Sequence, residues 1–225
     1  MGGQLAYRLD RIPTPPLLQA KASEEGDAGL GAAGSVLHVA QDREIYAEGA
    51  AASAFYKVVA GVVRTCKFLS DGRRQIDAFY RAGDLFGIEG DAQHSLSAEA
   101  VSDCTLIAYR RRCVDAARTG GAGVDQLFDH LLRRLAQTQD HALLLGRRSA
   151  LEKVAAFLVD WADQSAGRKV VSLAMTRQDI ADYLGLTIET VSRTLSQLER
   201  DGLIDMPTAR QIRLADLQAL RDLNA

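Results

Sequence analysis

The chain is poor in the features that mark membrane-spanning, secreted and metal-binding proteins. No apolar run approaches the roughly 18 residues a transmembrane helix needs. The opening "MGGQLAYRLDRIPTPP" has neither an uninterrupted apolar core nor a cleavage pattern for export, so the expectation is a cytoplasmic protein with no membrane partner. Cysteine is scarce. Cys66, Cys104 and Cys113 are an odd set without ligand spacing, which points to reduced, partly buried thiols rather than a disulfide framework. The four histidines, His38, His94, His130 and His141, are scattered. A metal-dependent barrel enzyme needs histidines and carboxylates that converge, and no nucleophile–base pairing is visible either. No catalytic residue, metal ligand or cofactor is expected. An excess of either charge is also missing, with 27 Lys+Arg against 29 Asp+Glu. A polyanionic partner would therefore have to be met by cations placed locally.

What is present divides the chain by texture. Residues 1 to about 28 hold three of the four prolines and most of the small, polar "KASEEGDAGLGAAG" at 21–34, and read as a mobile arm. From about residue 35 to 110 come short β-rich runs, "SVLHVA", "REIYAEG", "AFYKVVAGVVRTCKFL", "RRQIDAFY" and "TLIAYR", punctuated by glycine. Runs of that length predict an antiparallel sandwich or roll. The Asp-Gly pair in "LSDGRR" marks a hairpin.

After "TGGAG" at 119–123 the period changes. Val124, Phe128, Leu131, Leu135, Thr138, Ala142 and Leu145 form an apolar seam stepping alternately by 4 and 3. A helix lying on its own sheet would show such a seam, and so would a helix paired with its twin across a two-fold axis. Gly146, Arg147 and Arg148 close the seam as a hinge, and "SALEKVAAFLVDWADQS" offers a further amphipathic helix.

The stretch "TRQDIADYLGLTIETVSRTLSQLERDGLI" at 176–204 holds two helical patterns broken by Gly185, Leu186 and Thr187. Thr176 with Asp179 makes a variant capping box. Ile180, Ala181 and Leu184 form one inward face, and Ile188, Val191, Leu195 and Leu198 the other. Thr187 caps the second helix. A short glycine-containing turn between crossing helices is the helix-turn-helix pattern. The second helix turns Glu189, Ser192, Arg193, Ser196 and Arg200 outward. A solvated face would look similar, but the short polar residues cluster at the N-terminal half, where a recognition helix meets base edges. Arg can donate twice to guanine, and Glu can accept from the cytosine amino group. "LIDMPTARQIRL" reads as two strands around Pro207–Arg210, a wing that brings Arg210 toward a phosphate.

These motifs resemble the CRP/FNR family of bacterial transcription regulators, most closely its FixK branch. The helix-turn-helix match is highly specific. "EIYAEG", "YKVVAGVVR", "SDGRRQI" and "RAGDLFGIEG" resemble the family's β-roll, and the 124–145 seam falls where its dimerisation helix belongs. The resemblance implies an α+β fold: an antiparallel β-roll like a cyclic-nucleotide-binding jelly roll at 29–120, a dimerisation helix and hinge at 121–147, and a winged helix-turn-helix at 148–225. It assigns base reading to Glu189, Ser192 and Arg193. Phosphate contacts fall to Thr176, Arg177, Gln178, Thr187 and Thr190, with Ser196 and Arg210 beside them. Ile188 stands where cAMP-dependent relatives carry Arg, which favours TTGA-type half-sites. Implied partners are double-stranded DNA, a second copy through the 124–145 seam, and RNA polymerase. The loop Ser70, Asp71, Gly72, Arg73 and Arg74 is a candidate polymerase contact, though an ordinary hairpin tip would look the same.

The resemblance also raises ligand-responsive alternatives. His94 and Ser95 stand at the Arg-Ser pair that holds the cyclic phosphate in cAMP-binding members. A neutral imidazole replaces a bidentate guanidinium poorly there. An iron–sulfur sensor needs four thiolates, and no cysteine precedes Cys66. Haem and nitric-oxide linkage stay open as alternatives of the same fold.

Overall fold

The structure, a computed structural model, describes residues 34–111, 124–147, 149–163 and 170–223. The arm at 1–28, Cys113, the glycine run before the seam and the Val124 side chain lie outside the described residues. Eight strands build the roll: β1 (Ser35–Val39), β2 (Glu44–Tyr46), β3 (Ala54–Ala60), β4 (Val63–Phe68), β5 (Arg74–Tyr80), β6 (Leu85–Phe86), β7 (Ser97–Ala100) and β8 (Cys104–Arg110). They form two antiparallel four-stranded sheets, ordered β1-β8-β3-β6 and β2-β7-β4-β5. Period-2 patterning sets their faces. In β5, Ile76, Ala78 and Tyr80 turn inward while the residues between them lie nearer solvent. Val58, Val63, Phe86, Ala98, Ala100 and Leu106 close the core between the sheets. Cys66 and Cys104 are buried, unpaired thiols, and burial raises both above the usual thiol range, Cys66 to about 11.

The long run 54–69 is broken at Gly61, whose φ of +90° turns β3 into β4. The "SDGR" tip folds as the Asp-Gly pair demands. Gly72 takes φ +83°, and Leu69 N–H donates to Arg73 O at 2.8 Å.

Helix α1 (Val124–Arg147) meets the roll through residues outside the seam. Leu127 is buried against the roll, His130 Nε2 lies 3.0 Å from the Leu85 carbonyl, and Arg134 pairs with Asp77 at 2.6 Å. The adjacent stripe is uncovered, with Phe128, Leu131 and Leu135 at 58%, 42% and 55% exposure. Thr138 and Ala142 are exposed too, while Leu145 is half-buried beside Gly185.

The C-terminal unit comprises α2 (Ala150–Asp163), β9 (Val170–Ser172), α3 (Arg177–Leu184), α4 (Ile188–Arg200), β10 (Ile204–Thr208), β11 (Gln211–Leu214) and α5 (Leu217–Asp222). The wing has a third strand, β9, paired with β11, which the short "VVS" did not signal. Pro207 lies inside edge strand β10 at an irregularity in the ladder rather than in the turn. An edge tolerates the missing N–H. The C-terminal core runs on into the roll. Phe79 of β5 packs edge-on against Trp161 at 6.0 Å and beside Tyr183 at 5.3 Å, and the Arg81 guanidinium covers the Trp161 ring at 3.3 Å.

Gly61 gives a direct test of the roll. A Cβ there would lie 2.4 Å from the Asp103 carbonyl oxygen, on backbone already at positive φ. Gly61→Ala should cost about 3 kcal/mol, read as a lowered urea midpoint for the protein's unfolding.

Candidate nucleic-acid interface

The two helices of the turn are fixed by their caps. Thr176 Oγ1 accepts from Asp179 N–H at 3.1 Å, while Asp179 Oδ2 accepts from Thr176 N–H at 2.9 Å, a reciprocal capping box. Gly185 ends α3 in the left-handed region at φ 62°, and Leu186 N–H returns to Ala181 O at 3.0 Å. Thr187 then caps α4 through Thr190 N–H at 3.2 Å. Fully buried Ala181 puts no bulk between the helices, and Val191, Leu195 and Leu198 pack behind. One inward assignment fails. Ile188 is 37% exposed and Thr194 is buried instead, because the first residue of α4 sits ahead of the place where the helices cross.

That packing turns the sequence-assigned residues to one side. Thr190, Ser192, Arg193, Ser196 and Arg200 line a single open groove with Thr194 and Gln197. Gln197 was missed by the sequence reading; its one signal is its place four residues after Arg193. Glu189 and Arg193 are exposed, and Arg193 Nη2 stands 3.4 Å from Thr190 Oγ1. At the other helix, Thr176 and Gln178 are exposed and Arg177 is half-buried. Arg210 is exposed in the wing between β10 and β11 and is not among the groove residues. Its backbone N–H is held by Thr208 Oγ1 at 3.3 Å.

The electrostatics suit a polyanion at one end and base edges at the other. The N-termini of α3 and α4 carry the partial positive charge of their helix dipoles. Glu189 is held below the ordinary carboxylate range, first by its own backbone N–H and then by the Thr187 hydroxyl. It is therefore an ionised, acceptor-only group at neutral pH.

Not every loop residue is where the sequence placed it. Ser70, Asp71, Gly72 and Arg73 are exposed at the hairpin tip, with Arg73 Nε donating to Asp71 at 2.7 Å. Arg74 is not part of that surface. Its side chain is only 18% exposed, and it turns inward to Asp179 and Asp182 of α3, because two carboxylates on one face of that helix outbid solvent for its guanidinium.

Inside the roll, His94 is buried and stacked on Tyr46 at 3.6 Å between ring centres. Its Nδ1 stands 3.5 Å from Glu89 Oε1 and finds no partner of hydrogen-bond geometry. Burial lowers its pKa, so the ring is neutral at pH 7. Ser95 directs both its N–H and its hydroxyl to Glu89, at 3.2 and 3.1 Å. The donors that would meet a cyclic phosphate are thus occupied by a carboxylate of this chain.

Comparison with known proteins agrees with this geometry. Residues 152–223 match the Crp-like helix-turn-helix domain, and residues 36–118 match the cyclic nucleotide-binding domain. The nitrogen fixation regulation protein FixK of Azorhizobium caulinodans is 45% identical over 206 residues, covering 87% of this chain and 82% of that protein. The transcriptional activatory protein AadR of Rhodopseudomonas palustris is 44% identical over 165 residues, covering 71% and 69%. The solved structure of FixK2 from Bradyrhizobium japonicum superposes with a TM-score of 0.82 at 42% identity, covering 86% of this chain and 98% of that one. The chain belongs to the CRP/FNR family of transcription regulators, in its FNR/FixK branch, with the helix-turn-helix as its DNA-binding domain.

Proposed function

We propose that the protein acts in the cytoplasm as a homodimeric activator that reads an inverted repeat of the TTGA-N6-TCAA type. One observation carries this. The groove on α4 gathers Thr190, Ser192, Arg193, Ser196, Gln197 and Arg200 along the helix, and an ionised Glu189 stands exposed in the first turn. In this reading Glu189, Ser192 and Arg193 contact base edges. Thr176, Arg177, Gln178, Thr187, Thr190, Ser196 and Arg210 meet phosphates and orient the unit.

The uncovered stripe of Phe128, Leu131 and Leu135 supports pairing with a second copy, since a contiguous apolar strip on a helix otherwise faces water. Pairing along α1 would set two recognition helices about 10 base pairs apart. The exposed tip at 70–73 is the candidate contact for RNA polymerase, with Arg74 withdrawn from it. By analogy with the nitrogen fixation regulation protein it resembles, its regulon concerns nitrogen fixation. By analogy with the family, it extends to low-oxygen respiration, and control lies in the amount of protein made rather than in a bound ligand. The carboxylate-filled site at Glu89 and Ser95 favours that over a nucleotide-gated regulator.

Selection of bound sequences from a random DNA pool tests the operator directly; recovery of sites without dyad symmetry would refute it. Arg193→Ala should weaken binding to the selected site by about 1–3 kcal/mol and affect random duplex much less, measured by titration at one fixed salt concentration. Leu131→Glu should give monomers in sedimentation, because it sets like charges opposite each other in an apolar seam. A dimer that survives the change would remove α1 as the pairing surface.

A further inference from the structure

We infer that Arg74 is a positioning residue for DNA binding: from the roll it holds the first helix of the DNA-binding unit, and through Asp182 it sets Gln178. Three contacts lead to this. Arg74 Nη2 reaches Asp179 Oδ1 at 2.5 Å. Its Nε donates to Asp182 Oδ2 at 2.8 Å. Asp182 in turn accepts from Gln178 Nε2 at 2.6 Å through its other oxygen. Gln178 is one of the residues assigned to phosphate, so a chain of charge-assisted bonds runs from a β-strand of the roll to the DNA-facing surface.

The site is built rather than incidental. Arg64 of β4 donates to the same Asp179 oxygen at 3.1 Å and to Glu99 at 2.8 Å. Side-chain exposure is 10% for Arg64, 18% for Arg74, 19% for Glu99, 12% for Asp182 and 3% for Asp179. Ion pairs this dry lose their compensation when one partner is removed, whereas a surface pair would contribute almost nothing. The two guanidiniums come from adjacent strands of one sheet, and the two aspartates lie three residues apart on one face of α3. Each half of the contact is therefore rigid. Because Asp179 also closes the capping box, the arginines grip the turn of α3 that bears Thr176, Arg177 and Gln178.

The inference rests on the DNA-binding function and not on the TTGA operator, since phosphate contacts are blind to sequence. The test uses the full-length protein and a double-mutant cycle of Arg74→Gln with Gln178→Ala, titrated on random-sequence duplex and on the selected palindrome. Arg74→Gln should weaken both by about 5- to 150-fold. The double variant should lose clearly less than the product of the single losses. A purely electrostatic role, in which unneutralised Asp182 repels phosphate, would give strict additivity and overturn the inference, as would unchanged affinity in Arg74→Gln. Trp161, the chain's single tryptophan, provides a reading free of DNA, since it sits beneath Arg81 and beside Phe79 of the roll. Its quenching by acrylamide should rise in Arg74→Gln while far-UV circular dichroism stays unchanged, and unchanged quenching would count against the grip. If Arg74→Gln does not fold, Asp182→Asn, which keeps the shape and removes the charge, takes its place in the same cycle. A wild-type protein that binds random duplex but shows no preference for the palindrome sinks the operator and leaves this test intact.

Discussion

A carboxylate that is almost wholly out of water must be held from every side, and Asp179 is such a carboxylate. At 2% residue exposure its ionised form would be untenable without donors. It finds them in two places at once. One oxygen takes the N-terminal donors of its own helix, and the other takes two guanidiniums from the roll. The first set makes α3 begin where it does. The second fixes where α3 lies relative to strands more than 100 residues earlier in the chain. The orientation of α4 follows from α3 through the Gly185 turn, so the outward stripe inherits its direction from this one buried charge.

Only half of that arrangement was legible in the sequence. Thr176 and Asp179 announce a capping box because both partners lie within one turn, and Gly185 and Thr187 announce the helix junction for the same reason. The grip of Arg64 and Arg74 has no local signature. Arg74 instead looked like part of an exposed "SDGRR" tip, since hairpin geometry places residues 70–73 correctly and says nothing of a helix packed against the next one. The pair of acids on one face of α3 was the available clue, and its meaning depended on which surface that face would meet. Ile188 failed differently. Helical periodicity assigns it inward, but a first-turn residue precedes the crossing of the two helices and stays partly in water. His94 lies stacked on Tyr46, a contact with no signature in its own stretch of sequence.

Helix α1 shows how one apolar pattern can serve two surfaces. Residues 127, 130 and 134 face the roll, while Phe128, Leu131 and Leu135 lie about 100° further round on a 3.6-residue helix. The helix does lie on its own roll, but through residues outside the seam read from the sequence, whose Phe128, Leu131 and Leu135 stay exposed. A heptad count does not say which face of a helix meets its own domain. Leu145 belongs to neither set cleanly, because it meets the turn at Gly185 and so ties the end of α1 to the DNA-binding unit.

The roll, finally, keeps the frame of a nucleotide receptor while Glu89 takes up the Ser95 donors. A phosphate entering near Ser95 would have to displace the Glu89 carboxylate from both Ser95 donors and then lie beside an unprotonated imidazole. No compensating cation is supplied by the pair itself, since burial keeps His94 neutral. An anion at this position is therefore disfavoured by the groups around it, independently of any likeness to other regulators. The contacts described also give the roll a mechanical part. It offers α1 a surface to lie on, it places Phe79 and Arg81 against Trp161, and it delivers two arginines to α3. Those duties call for rigidity, and the C-terminal core draws Val101 of the roll into its packing with Val62 and Phe79 against it.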